Sequence, residues 1–403
     1  MVRQARLGLA LRAGSLANVV HRTLRRQGDG VHGRGTVIMA IDPRAIERLA
    51  RGRDSVLVTG TNGKTTTTHL LARALGDEVA HNYTGANMAT GIVTAYADTD
   101  ARAAAVEVDE LHFPSMVAMI QPKVVVLLNA SRDQLSRSHE VSRVVTAWAD
   151  ALAESTAVVV ANCADPNVVA ATPPDRAVWF DSGTRWTHDA QACARCGDLI
   201  HWKRDTWSCP CGLSMPSAQF RREGSVVVDP RGHRHDLSLQ LPGDFNQGNA
   251  VAAVAAAHAM GVPIDTAIAR FASMDSAYGR YRLYNVGGRP AQLLLAKNPA
   301  GMTTALGLVG DGQVIVGINA DDVDGRDTSW LYDAPFEHLA GRQVGAVGRR
   351  RHDLALRLEI AGARPIVGVD IHDIARHLPD GNLHLIGNYS NFVKWRRSPL
   401  WLK

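Results

Sequence analysis

Apolar residues along this chain fall into short valine-rich runs separated by amphipathic stretches. SVLVTG (55–60), AAAVEVD (103–109), KVVVLLN (123–129) and TAVVVAN (156–162) have strand length and little internal polarity, as expected of strands buried on both faces. Helical candidates lie between them, from Lys64 to Leu75 and from Glu140 to Glu154. The alternation lapses over 182–236, where Trp, Cys, Gly, His and Arg accumulate without either period, and this stretch reads as an inserted metal module. An Ala-rich helix follows from about Asn246 to Met260. A second alternating stretch offers strands at 292–296, 313–319, 343–348, 364–370 and 382–387, with helices near 301–309, 352–361 and 371–377. Such alternation predicts an α/β fold with parallel sheets covered by helices. The expected organisation is an N-terminal segment (1–45), a central domain (46–275) and a Rossmann-like C-terminal domain (285–403), joined by a linker near 274–290 that contains Gly279, Gly287, Gly288 and Pro290. No dinucleotide fingerprint G-x-G-x-x-G accompanies the second domain.

Length and composition support this reading: 403 residues, 46% hydrophobic and 21% charged, suffice for two or three cores. No uninterrupted apolar run reaches the roughly 18 residues of a membrane-spanning helix. The net charge of +5 is carried by scattered arginines, since only six of the 44 basic residues are lysine. Without a basic and aromatic stripe, this excess argues against a nucleic-acid groove. Residues 1–28 are basic and amphipathic, with Leu7, Leu11, Leu16, Val19, Val20 and Leu24 among Arg3, Arg6, Arg12, Arg22, Arg25 and Arg26. The interrupted apolar positions exclude a secretory signal. Three readings stay open: a helix packed on the first domain, one that also touches an anionic membrane surface, and an Arg-rich transit peptide.

Two clusters carry chemistry. Val58-Thr59-Gly60-Thr61-Asn62-Gly63-Lys64-Thr65-Thr66 links a strand to a helix. Its glycines let backbone N–H groups approach phosphate oxygens, Lys64 reaches the β- and γ-phosphates, and the Thr65 hydroxyl suits Mg²⁺. Only two residues separate Gly60 from Gly63, against four in the usual P-loop. The other cluster pairs Cys193 and Cys196 with Cys209 and Cys211, which is spacing for a tetrahedral Zn²⁺ ribbon over about 188–216 and suits a reducing cytosol. A closed four-thiolate site is structural, and Cys163 reads as packing.

The short G-T-N-G-K-T-T loop resembles the Mur ligases and folylpolyglutamate synthetases, which join amines to carboxylates through an acyl phosphate. Glu107 and Glu110 close a strand where these ligases place a Mg²⁺-binding Glu. Asn246 stands in a segment similar to their G-x-x-N-x-x-N-A helix start, where Asn meets the nucleotide, and Gly279-Arg280 resembles the junction G-R whose Arg reaches the γ-phosphate. Further motifs resemble the MurT branch: Gly85-Ala86-Asn87-Met88, Arg132-Asp133-Gln134-Leu135, Lys297-Asn298-Pro299-Ala300-Gly301, Asp324-Gly325-Arg326-Asp327-Thr328-Ser329-Trp330 with Asp333, Phe336 and Glu337, and Asn388-Tyr389-Ser390. Ser136, Ser138 and His139 depart from that branch's pattern, and the stretch where many amino-acid-adding Mur ligases carry a carbamylated Lys has none here.

The resemblance, which covers roughly residues 30–392, implies a Mur ligase central domain with an inserted Cys₄ zinc ribbon and a Rossmann-like C-terminal domain. It implies a cytoplasmic enzyme that uses ATP and Mg²⁺ to amidate the D-glutamate α-carboxylate of lipid II, with ammonia from a GatD-type glutamine amidotransferase. In that scheme Asp327 completes the partner's Cys–His pair. Of the other readings, the K-N-P-A-G and D-G-R-D motifs argue against a Mur-type ligase adding an amino acid or another amine, and the scattered arginines without an aromatic-and-basic stripe argue against a zinc-ribbon nucleic-acid-binding NTPase.

Overall fold

The computed structural model describes residues 2–24, 31–133, 140–278, 280–321 and 324–397. Gln134, Leu135, Ser136, Ser138, His139 and Gly279 lie outside the described residues. The chain divides into two compact units, one built mainly from residues up to 130, 141–240 and 244–274, the other mainly from 275 onward with 131–140.

In the first unit, helices α1 (Val2–Leu24), α2 (Val31–Ile41) and α3 (Ala45–Ala50) precede β1 (Asp54–Thr59). There follow α4 (Lys64–Leu75), β2 (Val79–His81), α5 (Ala89–Ala97), β3 (Ala103–Glu107), α6 (Phe113–Ile120), β4 (Val124–Leu127), α7 (Val141–Ala153), β5 (Val158–Asn162), α8 (Pro166–Ala171) and β6 (Ala177–Asp181). Strands β1 to β6 pair in parallel in the order β6-β5-β4-β1-β3-β2. The valines of the central strands β1, β3 and β4 are buried because helices cover both faces. β1 lies between β3 and β4, so chain connections diverge to either side of it. The carboxyl ends at such a switch point leave a crevice for ligands.

Residues 182–236 depart from the expectation of a metal module. Only the small hairpin β7 (His201–Trp202) and β8 (Trp207–Ser208) belongs with the cysteines. β9 (Phe220–Glu223), β10 (Val226–Val228) and β11 (Arg234–Asp236) instead extend the main sheet beyond β6. Their exposed positions hold Arg221, Glu223, Arg234 and Asp236, which conceals strand character in so short a segment. Helices α9 (Asp244–Ala259) and α10 (Ile264–Phe271) complete the unit.

The second unit holds β12 (Leu283–Val286), β13 (Arg289–Leu295), α11 (Pro299–Gly307), β14 (Gln313–Gly317), β15 (Gln343–Val347), α12 (Arg351–Ile360), β16 (Arg364–Val367), α13 (Ile371–His377), β17 (Leu383–Gly387) and α14 (Tyr389–Arg396). The expected linker is partly sheet: β12 and β13 form an antiparallel hairpin whose turn is Gly287-Gly288, both at positive φ, as a tight hairpin turn requires. The other strands run parallel in the order β13-β17-β14-β15-β16. The returning strand β17 inserts between β13 and β14, which gathers the carboxyl ends of these three strands.

Candidate active site

The phosphate loop is shaped by groups far away in sequence. Asn129, just past β4, accepts from the N–H of Asn62 (2.8 Å) and donates to its carbonyl (3.0 Å), and its own carbonyl accepts from Thr61 N–H (3.0 Å). The loop then turns into α4 at Gly63, whose φ is +88°. A Cβ at Gly63 would stand 2.4 Å from Asn249 Oδ1, so a side chain there would displace the amide of Asn249 on α9. The start of α9 also holds Asn246, fully buried, which accepts from Asn249 Nδ2 at 3.3 Å. Through Asn249 the structure places Asn246 near the loop.

Lys64 is buried and folds back over the loop, donating to Gly60 O (2.6 Å), Thr61 O (3.3 Å) and Glu110 Oε2 (3.1 Å). The indole N–H of the buried Trp148 holds the Glu110 carbonyl at 3.0 Å. Glu107 takes a different partner: its Oε2 accepts from the Thr65 hydroxyl at 2.7 Å. The two carboxylates, indistinguishable in the sequence, are thus separated, Glu110 to the lysine and Glu107 to the hydroxyl. A hydroxyl and a carboxylate oxygen side by side are hard donors of the kind Mg²⁺ selects.

Two asparagines hold Glu107 in place: Asn82, which sequence reasoning passed over, and Asn87, which it named only within the G-A-N-M segment. Asn82 accepts from Glu107 N–H and donates to Glu107 O, each at 2.8 Å, and also donates to Ala86 O at 2.9 Å. Asn87 Nδ2 reaches Glu107 Oε1 at 3.3 Å. The G-A-N-M stretch is therefore the lid of the Thr65–Glu107 pair, a role that only the three-dimensional pairing of β2 with β3 reveals.

Below the loop, Asp165 supports Asn129 through its neighbour: one carboxylate oxygen accepts from Ala130 N–H at 2.8 Å, and the other caps α8 through Asn167 N–H at 2.9 Å. Burial pushes this carboxyl up to about 6 despite those donors. Cys163 is likewise pushed up to about 12 by burial, with Asp181 adding to the shift, which leaves an inert thiol.

In the second unit the motifs gather at the carboxyl ends of β13, β14 and β17. After β13, Lys297 forms an ion pair with Asp133, and Asn298 caps α11 by accepting from Gly301 N–H at 2.8 Å. After β17, Asn388 pairs with both backbone groups of Asn319, two residues past β14 (3.2 and 2.7 Å). The buried Asp324 accepts from Ser390 N–H (2.8 Å) and from its hydroxyl (2.5 Å). Arg132 pairs with Asp333 at 3.0 Å, and the buried Arg357 binds Glu337 and the carbonyls of Leu331 and Ala334. So braced, the loop leaves Arg326 and Asp327 exposed. The Ser329 N–H, at 2.8 Å, holds the Asp327 carboxyl below its ordinary range, so this outward-facing group is an anion at neutral pH.

Arg280 belongs to the second unit, in a short bridge with Ala277. It is flanked by Tyr278 and Tyr281 at φ +52° and +68°, unusual values for aromatic residues and a mark of a segment held in place by its surroundings. Arg396 lies 3.9 Å from the Tyr278 ring and donates to its hydroxyl.

The cysteines converge. Cys193, Cys196, Cys209 and Cys211 present sulfurs all within 4.8 Å of one another, with individual separations of 3.4 to 3.8 Å. Zinc–sulfur bonds of about 2.3 Å in tetrahedral geometry need sulfurs roughly 3.8 Å apart, so the donor set fits that ion. His201 is exposed on β7, outside this cluster.

Residues 58–257 match the Mur ligase middle domain and residues 295–392 the MurT ligase C-terminal family. The lipid II isoglutaminyl synthase (glutamine-hydrolyzing) subunit MurT of Streptococcus pneumoniae is 30% identical over 378 residues, covering 85% of each chain. Its namesake from Staphylococcus aureus is 29% identical over 387 residues, covering 87% of each. Two solved structures share the fold. A pseudomurein peptide ligase type C from Methanothermus fervidus has a TM-score of 0.67 at 19% identity, over 85% of this chain and 78% of that one. MurF from Acinetobacter baumannii has a TM-score of 0.63 at 18% identity, over 89% and 78% respectively. With the phosphate loop in its expected fold and likeness along nearly the whole length, this chain is an ATP-dependent carbon–nitrogen ligase and belongs to the MurT family.

Proposed function

We propose that this ligase amidates the α-carboxylate of D-glutamate in the stem peptide of lipid II, with ammonia from a GatD-type glutamine amidotransferase. The observation that supports this most is the convergence of K-N-P-A-G, D-G-R-D-T-S-W and N-Y-S at the ends of three adjacent strands, in a chain similar over most of its length to MurT subunits.

A carboxylate oxygen of the substrate attacks the γ-phosphorus of ATP, forming an acyl phosphate and releasing ADP. Ammonia then attacks the acyl carbon, a C–N bond replaces the C–O bond, a proton is lost, and phosphate leaves. The backbone of Gly60, Thr61, Asn62 and Gly63, with Thr66 in the first turn of α4, cradles phosphate oxygens at a helix N-terminus. Lys64 leaves its resting partners to neutralise the transferring phosphoryl group, and Arg280 contributes a second positive charge. Thr65 and Glu107 hold Mg²⁺, which when bound offsets charge on the phosphates. Before ATP binds, Glu110 keeps Lys64 aimed into the loop, and Asn246 contacts the nucleotide once it is bound. Asp327 accepts from the partner's catalytic His, fixing its tautomer.

The test is reconstitution with the amidotransferase, lipid II and ATP, with the stem peptide analysed by mass spectrometry. ATP-dependent conversion of one carboxylate to an amide, from glutamine or from ammonium salts, is expected. Incorporation of an amino acid, or amidation without ATP, refutes the reading.

The four cysteines are proposed to hold one structural Zn²⁺, whose binding contributes folding energy to so small a ribbon. Elemental analysis should find one zinc per chain, lost in Cys193→Ser. Metal-free protein of unchanged stability contradicts this.

A further inference from the structure

The inner side of α1 is accounted for by packing. Ala10 is fully buried, Leu7 and Leu11 join the first unit's core, and Gly14 lies against Ile38 of α2. Its outer side is not so simply explained. Leu9, Leu16 and Val19 are 62%, 66% and 60% exposed and fall on one face, with the exposed Arg12 between them. Single exposed leucines are ordinary on protein surfaces. A stripe of three along a helix whose inner face is already packed calls for an apolar neighbour.

The charge around the stripe says which neighbour. The sequence of α1 contains four arginines, Arg3, Arg6, Arg12 and Arg22, and no Asp or Glu. A second copy of this helix would set arginine against arginine, whereas an anionic phospholipid surface offers phosphates for the arginines and acyl chains for the leucines. We propose that the outer face of α1 lies along an anionic membrane surface, as an interfacial helix about 34 Å long. No helix among the described residues is long and apolar enough to cross a membrane, so the contact is peripheral.

The same packing ties this contact to the phosphate site. Gly35 of α2 lies so close to the first turn of α5 that a Cβ would come within 1.9 Å of the Thr90 carbonyl. Arg34 also pairs with Asp98 at the far end of α5. α5 in turn follows directly on the G-A-N-M lid over Glu107. A helix lying on the membrane would thus hold the phosphate site's own unit beside a lipid-linked substrate. This purpose, though not the contact itself, rests on the proposed function.

The test uses the full-length chain and co-sedimentation with vesicles that contain no lipid II, either equal parts phosphatidylglycerol and phosphatidylcholine or phosphatidylcholine alone. Binding to the anionic vesicles, weakened by salt, is expected. Leu9→Glu/Leu16→Glu should reduce it at least about tenfold, and Arg12→Ala by about fivefold, with unchanged thermal unfolding. Should the double glutamate variant unfold early, Leu9→Ser/Leu16→Ser replaces it with the same expectation. Equal binding by wild type and the folded double variant overturns the inference. So does binding to neither vesicle type, or equal binding to both. Because no turnover is measured, failure here leaves the amidation reading standing, and failure of amidation leaves vesicle binding intact.

Discussion

In the first unit Asn129 grips both backbone groups of Asn62, and Asp165 supports the adjoining Ala130 N–H. In the second, Asn388 grips both backbone groups of Asn319, and Asp324 holds the nearby Ser390 N–H. Both loops follow parallel strands near a topological switch point, where the fold leaves room for chemistry. What they do with charge differs. The first loop draws its ammonium inward, burying Lys64 against two carbonyls and Glu110. The second pushes its carboxylate outward, with Asp327 exposed and ionised. An inward cation suits a small polyanion that enters the protein. An outward anion suits a group brought by another macromolecule. The same asparagine-and-aspartate brace thus holds an inward cation in one unit and an outward anion in the other; in the proposed function the first serves the substrate and the second the partner.

The comparison breaks most sharply at the charges themselves. Lys64→Ala should lower ATP-dependent amidation by about a thousandfold or more, since a charge aimed at the transferring phosphoryl group is lost. Its far-UV circular dichroism should be unchanged, and undiminished amidation by folded protein would refute the phosphate-site assignment. Asp327→Asn should leave the complex with the amidotransferase assembled while glutamine-driven amidation falls by about a hundredfold or more. Ammonium salts should restore much of that activity. If both rates fall together, Asp327 belongs to the ligase site or the fold.

The braces should separate more gently. Asn129→Ala and Asn388→Ala each leave two backbone groups unpaired, and each should cost about 1–3 kcal/mol in urea unfolding. Only Asn129→Ala should raise the apparent KM for ATP, whereas Asn388→Ala should mainly lower glutamine-driven turnover. Identical kinetic profiles for the two variants would dissolve the comparison.

Much of this was legible along the chain, and what was not has a physical reason. The helix expected from Lys64 to Leu75 has those bounds, because a glycine-lysine start and an amphipathic run are local signals. Strands β9 to β11 escaped because segments of three or four residues are too short to show a period of two. The hairpin at Gly287-Gly288 reads as a linker until its flanking strands pair. In the site, residue types that bond ligands directly could be named in advance. Asn129, Asn82 and Asp324 act on partners 67, 25 and 66 residues away, and no local pattern encodes such a partnership. Glu107 and Glu110 separate only when the direction each side chain takes from the strand end is known.

The central claim is that the substrate carboxylate is activated by phosphorylation at the loop containing Lys64. It is tested most directly with lipid II whose D-glutamate α-carboxylate carries heavy oxygen, incubated with the ligase, ATP and ammonium. The account predicts that each amide formed is matched by one phosphate molecule bearing a labelled oxygen from that carboxylate. Amide formation with unlabelled phosphate would contradict it.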